Sequence, residues 1–280
     1  MQIGFVGLGK MGKNMVFRLV EHNVDVVAYN RSEQPRIDVA NIGVETVENI
    51  ADMPGMLDTP RVIWMMVSAG DVVDGMIDAL LPYLEKGDLL IDGGNSFYKD
   101  TKRRAERVVK TGVRFMDVGV SGGPNGALNG ACLMVGGRRS DFDELKPLFE
   151  ILAAPNAYAY LGDHGAGHFV KMVHNGIEYG MMGAIAEGAA VLKKSEYGLD
   201  LTEVFRIYNN QSVITSRLIG WAESALVDDP ELSTTSSKIG HTGEGEWTIN
   251  AAKELGVEVP VIESSYQVRL QSAADSHNFR

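Results

Sequence analysis

Gln2-Ile3-Gly4-Phe5-Val6-Gly7-Leu8-Gly9-Lys10-Met11-Gly12 is the stretch on which the reading of this chain turns. Gln2–Val6 is a short run of strand formers. Gly7, Gly9 and Gly12 follow it in the spacing G-x-G-x-x-G and open a helical pattern over Gly9–Glu21. The spacing alone is weak. Directly after a strand and at the mouth of a helix, it describes a loop built to hold a dinucleotide. Gly7 permits the tight turn, Gly9 lets the backbone approach a pyrophosphate, and Gly12 lets helix and strand pack closely. The helix N-terminus adds unpaired N–H groups and a positive dipole end. Leu8, Lys10 and Met11 complete the expected cofactor loop.

Working outward, the next strand, Val24–Tyr29, ends at Asn30-Arg31-Ser32. An acidic residue here would hydrogen-bond the ribose 2′-hydroxyl of NAD. Nothing in Asn30-Arg31-Ser32 repels a 2′-phosphate, the planar fork of Arg31 can pair with one, and Ser32 can donate to it. NADP is therefore the expected cofactor, with NAD possible. Further strands are predicted at Arg61–Val67, Asp88–Asp92, Arg114–Val118 and Ala131–Gly136. Helical patterns at Val72–Leu84 and Asp141–Ile151 separate them. Such alternation implies βαβ units, hence an α/β Rossmann-type doubly wound parallel sheet. Ligands bind such sheets at the strand C-termini. Three small-residue loops fall there: Val67-Ser68-Ala69-Gly70, Asp92-Gly93-Gly94-Asn95-Ser96 and Ser121-Gly122-Gly123-Pro124. Asn95 and Ser121 can offer hydrogen bonds; Val67, Ser68, Ala69 and Asn95 are expected near the cofactor.

After Leu161 the pattern changes to helices. The expected division is a dinucleotide domain over residues 1–164 and an all-α helical domain over 165–280. His168–Ser195 reads as one long helix despite Gly176, Gly180, Gly183 and Gly188. Each glycine would cost about 1 kcal/mol relative to alanine in an exposed helix, so the helix is read as buried against another backbone. Within it, Lys171, His174, Asn175, Glu178 and Tyr179 stand at offsets that form one face. That face normally holds apolar core residues. Here it holds an amine, an imidazole, an amide, a carboxylate and a phenol, so it should line a pocket for a polar ligand. Leu201–Asn209, Leu218–Ala225, Trp247–Leu255 and Glu263–Ser272 read as further helices, with Val257–Val261 extended.

Composition narrows the classes. The chain has 280 residues, 45% hydrophobic and 22% charged, ordinary values for a globular protein. A net charge of −11 speaks against nucleic acid as a partner. The single cysteine, Cys132, excludes an internal disulfide framework and fits a reducing compartment. No apolar run is long enough to span a bilayer, so no membrane partner and a cytoplasmic address are expected. The six histidines are scattered, so no metal is expected.

Taken together, Gly7–Asn14, Asn30–Ser32, Asp92–Ser96, Ser121–Pro124, Gly165–Gly180 and Gly243–Thr248 with Trp247 resemble the decarboxylating 6-phosphogluconate dehydrogenases in their compact bacterial form. The wider β-hydroxyacid dehydrogenase superfamily shares the glycine loop, the Ser-Gly-Gly segment and the helix lysine. The Asp-Gly-Gly-Asn run and the Lys-x-x-His-Asn-Gly-x-Glu-Tyr helix look like this branch. The resemblance implies that Lys171 is the general base and Glu178 the acid. It implies that Asn95, Ser121, Gly122, Gly123, His174, Asn175 and Tyr179 contact substrate, and that Arg269 meets the sugar phosphate. It also implies a homodimer associating through the helical domain.

Three departures stand out. Thr242 replaces a lysine that helps bind the phosphate, and Ser68 replaces a lysine near the cofactor. The sequence ends at Ser276-His277-Asn278-Phe279-Arg280, before the family's tail, whose arginine and histidine reach the partner's phosphate site. Either the phosphate is held differently or the sequence is a shortened one.

On this reading neutral Lys171 takes the proton of the C3 hydroxyl as hydride leaves C3. Burial, which disfavours a charged amine, suits it to base work. The β-keto acid then loses carbon dioxide, protonated Lys171 steadies the enolate oxygen, and Glu178 protonates C1 of the enediol to give ribulose 5-phosphate. Two alternatives remain: a β-hydroxyacid dehydrogenase acting on an unphosphorylated acid, and a non-catalytic NADP-binding sensor.

Overall fold

A computed structural model describes residues 1–236, 238–240 and 242–274; the terminal segment Ser276–Arg280 lies outside the described residues. By internal contacts the chain forms two compact units, Met1–Met172 and Val173–Arg280.

The first unit begins with strand β1 (Gln2–Val6), helix α1 (Lys10–Glu21), β2 (Asp25–Tyr29), α2 (Glu33–Ala40) and β3 (Glu45–Val47). It continues through β4 (Val62–Met65), α3 (Asp71–Leu80), β5 (Leu89–Asp92), α4 (Tyr98–Val109) and β6 (Arg114–Ser121). Then come α5 (Gly123–Asn129), β7 (Ala131–Gly137), α6 (Arg139–Glu144), α7 (Lys146–Leu152) and β8 (Ala153–Gly162). The strands form one eight-stranded sheet in the order β3-β2-β1-β4-β5-β6-β7-β8. All neighbours are parallel except β6 and β7. The reversal follows from chain length. Gly122–Gly130 is shorter than the dozen or so residues that a parallel crossover needs, so β7 returns antiparallel.

Strand periodicity divides the core between two faces. Ile3 and Phe5 of β1, Trp64 of β4, and Leu89 and Ile91 of β5 face Met15, Val16 and Leu19 of α1. Val6, Ile63, Met65 and Leu90 face Val73 and Ile77 of α3 and Ala105 and Val108 of α4. With helices on both faces, the central strands read as near-continuous apolar runs. The sheet ends in β3, three residues long, and in β8, which contains Pro155 and pairs with β7 through register shifts.

Helix α8 (Ala166–Lys193) begins in the first unit and continues into the second, which adds α9 (Leu201–Tyr208), α10 (Arg217–Asp228), α11 (Glu244–Glu254) and α12 (Pro260–Ala274). Asp200 accepts from the Thr202 and Glu203 amides, and Ser216 from that of Ile219, fixing where α9 and α10 start. Phe205, Ile219 and Leu226 form one small core with Ile185 and Leu192; Tyr179, Ile249 and Tyr266 form another.

Two expectations need correction. Only part of α8 is buried. A side chain at Gly176 or Gly183 would come within 2.8 Å of Thr248 or Ser265, whereas nothing lies near Gly188, and Val191 is 73% exposed. The expected extended run to Val261 stops short, because Pro260, already suited to a first helical turn, begins α12.

Candidate active site

The glycine loop follows β1 in the manner its sequence demands. Gly7 has φ +99°, and a Cβ there would strike the Met66 carbonyl at 2.3 Å. A Cβ on Gly12 would lie 1.9 Å from the Gly7 carbonyl, so helix and loop are in backbone contact. Gly9 has open space where its side chain would be. It caps α1, whose first turn carries no acidic residue to take the N–H groups. Leu8 is buried, Met11 half-buried and Lys10 exposed. Asn30 has a task that the sequence did not reveal. Its side-chain oxygen accepts from the Leu8 amide at 3.0 Å and its NH2 donates to the Ser32 carbonyl, so it ties loop to strand end. Arg31 and Ser32 are exposed beside it. This set fits a dinucleotide: an open glycine at a helix start and a surface guanidinium at the end of the next strand.

The loops after β4 and β5 are locked together. The buried carboxylate of Asp92 accepts from the Gly94 amide at 3.1 Å and the Ser96 hydroxyl at 2.7 Å, which holds Asn95, half-buried, at the apex. A Cβ at Gly94 would come 2.7 Å from the Val67 carbonyl, so the segment with Val67, Ser68 and Ala69 lies directly on this loop. Arg104 of α4, 1% exposed, joins them from below. It donates to the Gly70 carbonyl at 2.9 Å and to Asp74 at 2.8 Å, and approaches Asp92 at 3.9 Å. The guanidinium groups of Arg103 and Arg104 hold the Asp74 carboxyl far below its ordinary range, against the opposing effect of burial. The sequence missed Arg104 because a buried arginine interrupts an apolar helix face.

Strand β6 delivers Ser121 at its end, followed by Gly122 (φ +129°) and Gly123 (φ +63°), a backbone path closed to most side chains. On the same face, two residues earlier, Gly119 meets α8: a Cβ there would be 2.4 Å from Lys171 Cβ. Thus Lys171, half-buried, is seated against the strand that carries Ser121. The first unit therefore gathers the glycine loop, Asn30, Val67–Ala69, Asn95, Ser121–Gly123 and Lys171 around the C-terminal ends of its strands.

In the second unit, His174 meets Asn175 and Glu178, and Arg269 meets Tyr179. His174 Nδ1 lies 3.0 Å from Asn175 Oδ1 and 3.8 Å from the Glu178 carboxylate. The Arg269 guanidinium stacks 3.6 Å above the Tyr179 ring and donates to the Gly240 carbonyl at 2.9 Å. Burial, and then the nearby Glu244 carboxylate, push the Tyr179 phenol up. Glu244, itself buried, accepts from the Thr242 hydroxyl at 2.7 Å. Sequence reading singled out Thr242 and overlooked Glu244, although both lie in the Gly243–Thr248 neighbourhood.

Among the described residues, no group of three or more His, Cys, Asp or Glu side chains is arranged to hold a metal, and no helix is long and apolar enough to cross a membrane.

Comparison with known proteins gives a consistent result. Residues 2–162 match the NAD binding domain of 6-phosphogluconate dehydrogenase, and residues 167–280 match the C-terminal domain of 6-phosphogluconate dehydrogenase. An NAD(+)-dependent, decarboxylating 6-phosphogluconate dehydrogenase of Haloferax volcanii is 40% identical over 98% of this chain and 92% of its own length. An NADP(+)-dependent, decarboxylating counterpart from Bacillus subtilis is 38% identical over 97% of this chain, but this chain spans only 61% of it. The solved Plasmodium falciparum 6-phosphogluconate dehydrogenase, studied in its apo form and with NADP+ and 6-phosphogluconate, superposes with a TM-score of 0.88. It is 30% identical, and the match covers 98% of this chain and 62% of that one.

Proposed function

This chain belongs to the 6-phosphogluconate dehydrogenase family, and from that premise we propose that it oxidatively decarboxylates 6-phospho-D-gluconate to ribulose 5-phosphate and carbon dioxide with reduction of NADP. The observation that carries the reading is α8. One continuous helix bears an amine at Lys171 and a carboxylate at Glu178, seven residues and so about 10 Å of helix apart on one face. The base of the Lys171 side chain, its Cβ and Cγ, rests against the strand that ends in Ser121.

In the proposed scheme, residues 1–164 hold the dinucleotide. The backbone from Gly7 to Gly12, with Leu8, Lys10 and Met11 in the loop, receives the pyrophosphate. Arg31 and Ser32 receive the 2′-phosphate, and Val67, Ser68, Ala69 and Asn95 lie along the nicotinamide side. When bound, the cofactor supplies a hydride acceptor for C3. Lys171 takes the proton from the C3 hydroxyl as that hydride departs, which leaves a C3 carbonyl. The bond from the carboxylate carbon to C2 then breaks, its electron pair moves into the C2–C3 enediolate, and protonated Lys171 donates to the C3 oxygen. Glu178 delivers a proton to the carbon that lost carbon dioxide, which becomes C1 of the product. Asn95, Ser121, the amides of Gly122 and Gly123, His174, Asn175 and Tyr179 bind the sugar hydroxyls and carboxylate, and Arg269 the phosphate.

NADP preference rests on Arg31 and the absence of an acid at position 30. The Haloferax relative's use of NAD makes NAD the competing outcome. A second substrate class is favoured by one observation. Thr242 and the buried carboxylate of Glu244 lie near Tyr179 and Arg269, where the family has a lysine, and this suits an unphosphorylated acid better than a phosphate. Residues 165–280 would also carry self-association. An apolar groove lined by Met181, Ile185, Leu192, Phe205, Tyr208 and Val213 supports a homodimer.

The deciding experiment follows reduced-cofactor absorbance with 6-phosphogluconate, gluconate and 3-hydroxyisobutyrate, each with NADP and with NAD. Turnover of 6-phosphogluconate at least tenfold above the other two acids supports the proposal. Preference for either unphosphorylated acid rejects it.

A further inference from the structure

Strand β6 lays Asp117, Gly119 and Ser121 on one face, because successive side chains alternate. Each meets something different. Ser121 ends the strand in the loop assigned above to substrate. Gly119 lies under Lys171. Asp117, fully buried, accepts from the amide of Gly165 at 2.7 Å and from that of His168 at 2.9 Å, so its carboxylate takes two of the N–H groups at the start of α8.

The helix start is also held from other directions. Cβ atoms at Gly136 and Gly167 would come 2.7 Å from the Gly167 nitrogen and 2.4 Å from the Met134 carbonyl, so the first turn of α8 rests on bare backbone of β6 and β7. The His168 ring, 1% exposed, puts Nδ1 2.7 Å from the Thr101 hydroxyl of α4. Helix α4 itself follows directly from the loop that carries Asn95. The helix start is therefore tied both to the strand bearing Ser121 and to the helix following Asn95.

We propose that Asp117, with Gly119 beneath the helix and His168 beside it, is a positioning device that sets the height and rotation of α8, and so places the Lys171 amine relative to Ser121 and Asn95. This rests on the assignment of Lys171 as the base. A base works only within hydrogen-bond reach of the proton it removes, and a misplacement of about 1 Å costs on the order of a hundredfold in rate. Nothing about Asp117 requires contact with substrate; it acts through the helix.

Gly119→Ala is the sharpest test. Its methyl group, built 2.4 Å from Lys171 Cβ, must move that atom by about 1 Å to reach the 3.4 Å of ordinary contact. We expect kcat to fall roughly a hundredfold while the KM for NADP stays within about twofold. The deuterium isotope effect on kcat with C3-deuterated substrate should rise as proton and hydride transfer become limiting. Asp117→Asn, which turns an acceptor into a donor facing an N–H, should show the same split, and Thr101→Val a weaker one. A merely structural role would lower melting temperature and active fraction and leave the isotope effect unchanged, which would overturn the proposal.

Parent and variants are assayed on the same three acids. A parent that prefers an unphosphorylated acid defeats the function proposed above and still tests the positioning device on that acid. If no acid turns over, the pH dependence of Lys171 acylation, read by mass spectrometry, decides. A changed profile in Gly119→Ala supports the device, and an identical profile in parent and variant ends it.

Discussion

Adding a single methyl group at Gly9 and, separately, at Gly12 should separate the two jobs of the glycine loop. At Gly12 the methyl carbon would sit 1.9 Å from the Gly7 carbonyl oxygen, and ordinary contact at 3.4 Å requires about 1.5 Å of opening between α1 and the loop. Helix α1 is anchored by Met15, Val16 and Leu19 in the main core, so it cannot retreat without losing contacts there. Overpacking of this kind costs about 1–3 kcal/mol, or roughly 3–10 °C in melting temperature for a protein of this size. At Gly9 the methyl meets nothing in the free protein, and φ of −67° suits alanine. Reduced freedom of the unfolded chain contributes about 0.4–1 kcal/mol, and the poorer helix cap removes a similar amount. The ligand-free melting temperature should therefore stay within about 2 °C. The same methyl stands where the pyrophosphate approaches, and a comparable packing cost of about 1–3 kcal/mol weakens NADP by roughly 5- to 150-fold. Calorimetric melting of the ligand-free variants and fluorescence titration with NADPH measure both quantities. Unaltered NADPH affinity in Gly9→Ala, or an unaltered melting temperature in Gly12→Ala, would refute the division of labour.

Lys171→Ala should keep NADPH affinity while losing several orders of magnitude in kcat; activity within tenfold of the parent removes it from the base role. In Glu178→Gln, formation of reduced cofactor in a single turnover should proceed at near the parent rate while release of ribulose 5-phosphate slows, as a quenched-flow time course would record. Arg269→Lys should raise the KM for 6-phosphogluconate at least tenfold with little change for gluconate, because a lysine lacks the planar fork that stacks on Tyr179. Burial works to raise the Asp88 carboxyl, but the amides of Glu85 and Arg61 and the Arg61 guanidinium outweigh it and hold it below its ordinary range. A depressed folded-state pKa stabilises the fold above the unfolded value of about 3.9, and this contribution is lost as pH falls through the folded value. Asp88→Asn should thus lower stability by about 3 kcal/mol at neutral pH. The gap in melting temperature from the parent should close below about pH 4; a gap that widens on acidification contradicts this.

The first βαβ unit was legible because its signals are local: a strand run, glycines at fixed offsets and a helix with one apolar stripe. Helix α2 escaped notice because a proline, Pro35, in its first turn reads as a breaker in sequence and the helix buries only Val39. Helix α4 was hidden by the chemistry of its buried face, Thr101, Arg104, Ala105 and Val108, where a charge neutralised by Asp74 looks like surface. The predicted helix at Asp141–Ile151 is split into α6 and α7 ahead of Pro147. At the site, the small-residue loops after β4, β5 and β6 were visible as sequence. Asp117 was not, since its partners are amides 48 and 51 residues away. The second task of Asn30 was hidden for the same reason: the Leu8 amide lies 22 residues back and reaches its side chain only once β1 and β2 pair. What stays illegible is long-range satisfaction of polar groups, which a pattern of residue types does not encode.

The two outer strands have a bearing on how copies of this chain can meet. An exposed strand flank is a template on which another chain can lengthen a sheet. Here one flank is a three-residue stub, and the other is broken by an imino acid that donates no N–H, by slipped pairing and by Asn156 at φ +60°. Neither offers a continuous ladder for a newcomer, so backbone-templated stacking into fibrils is discouraged and any association falls to side-chain surfaces such as those of α8 to α10.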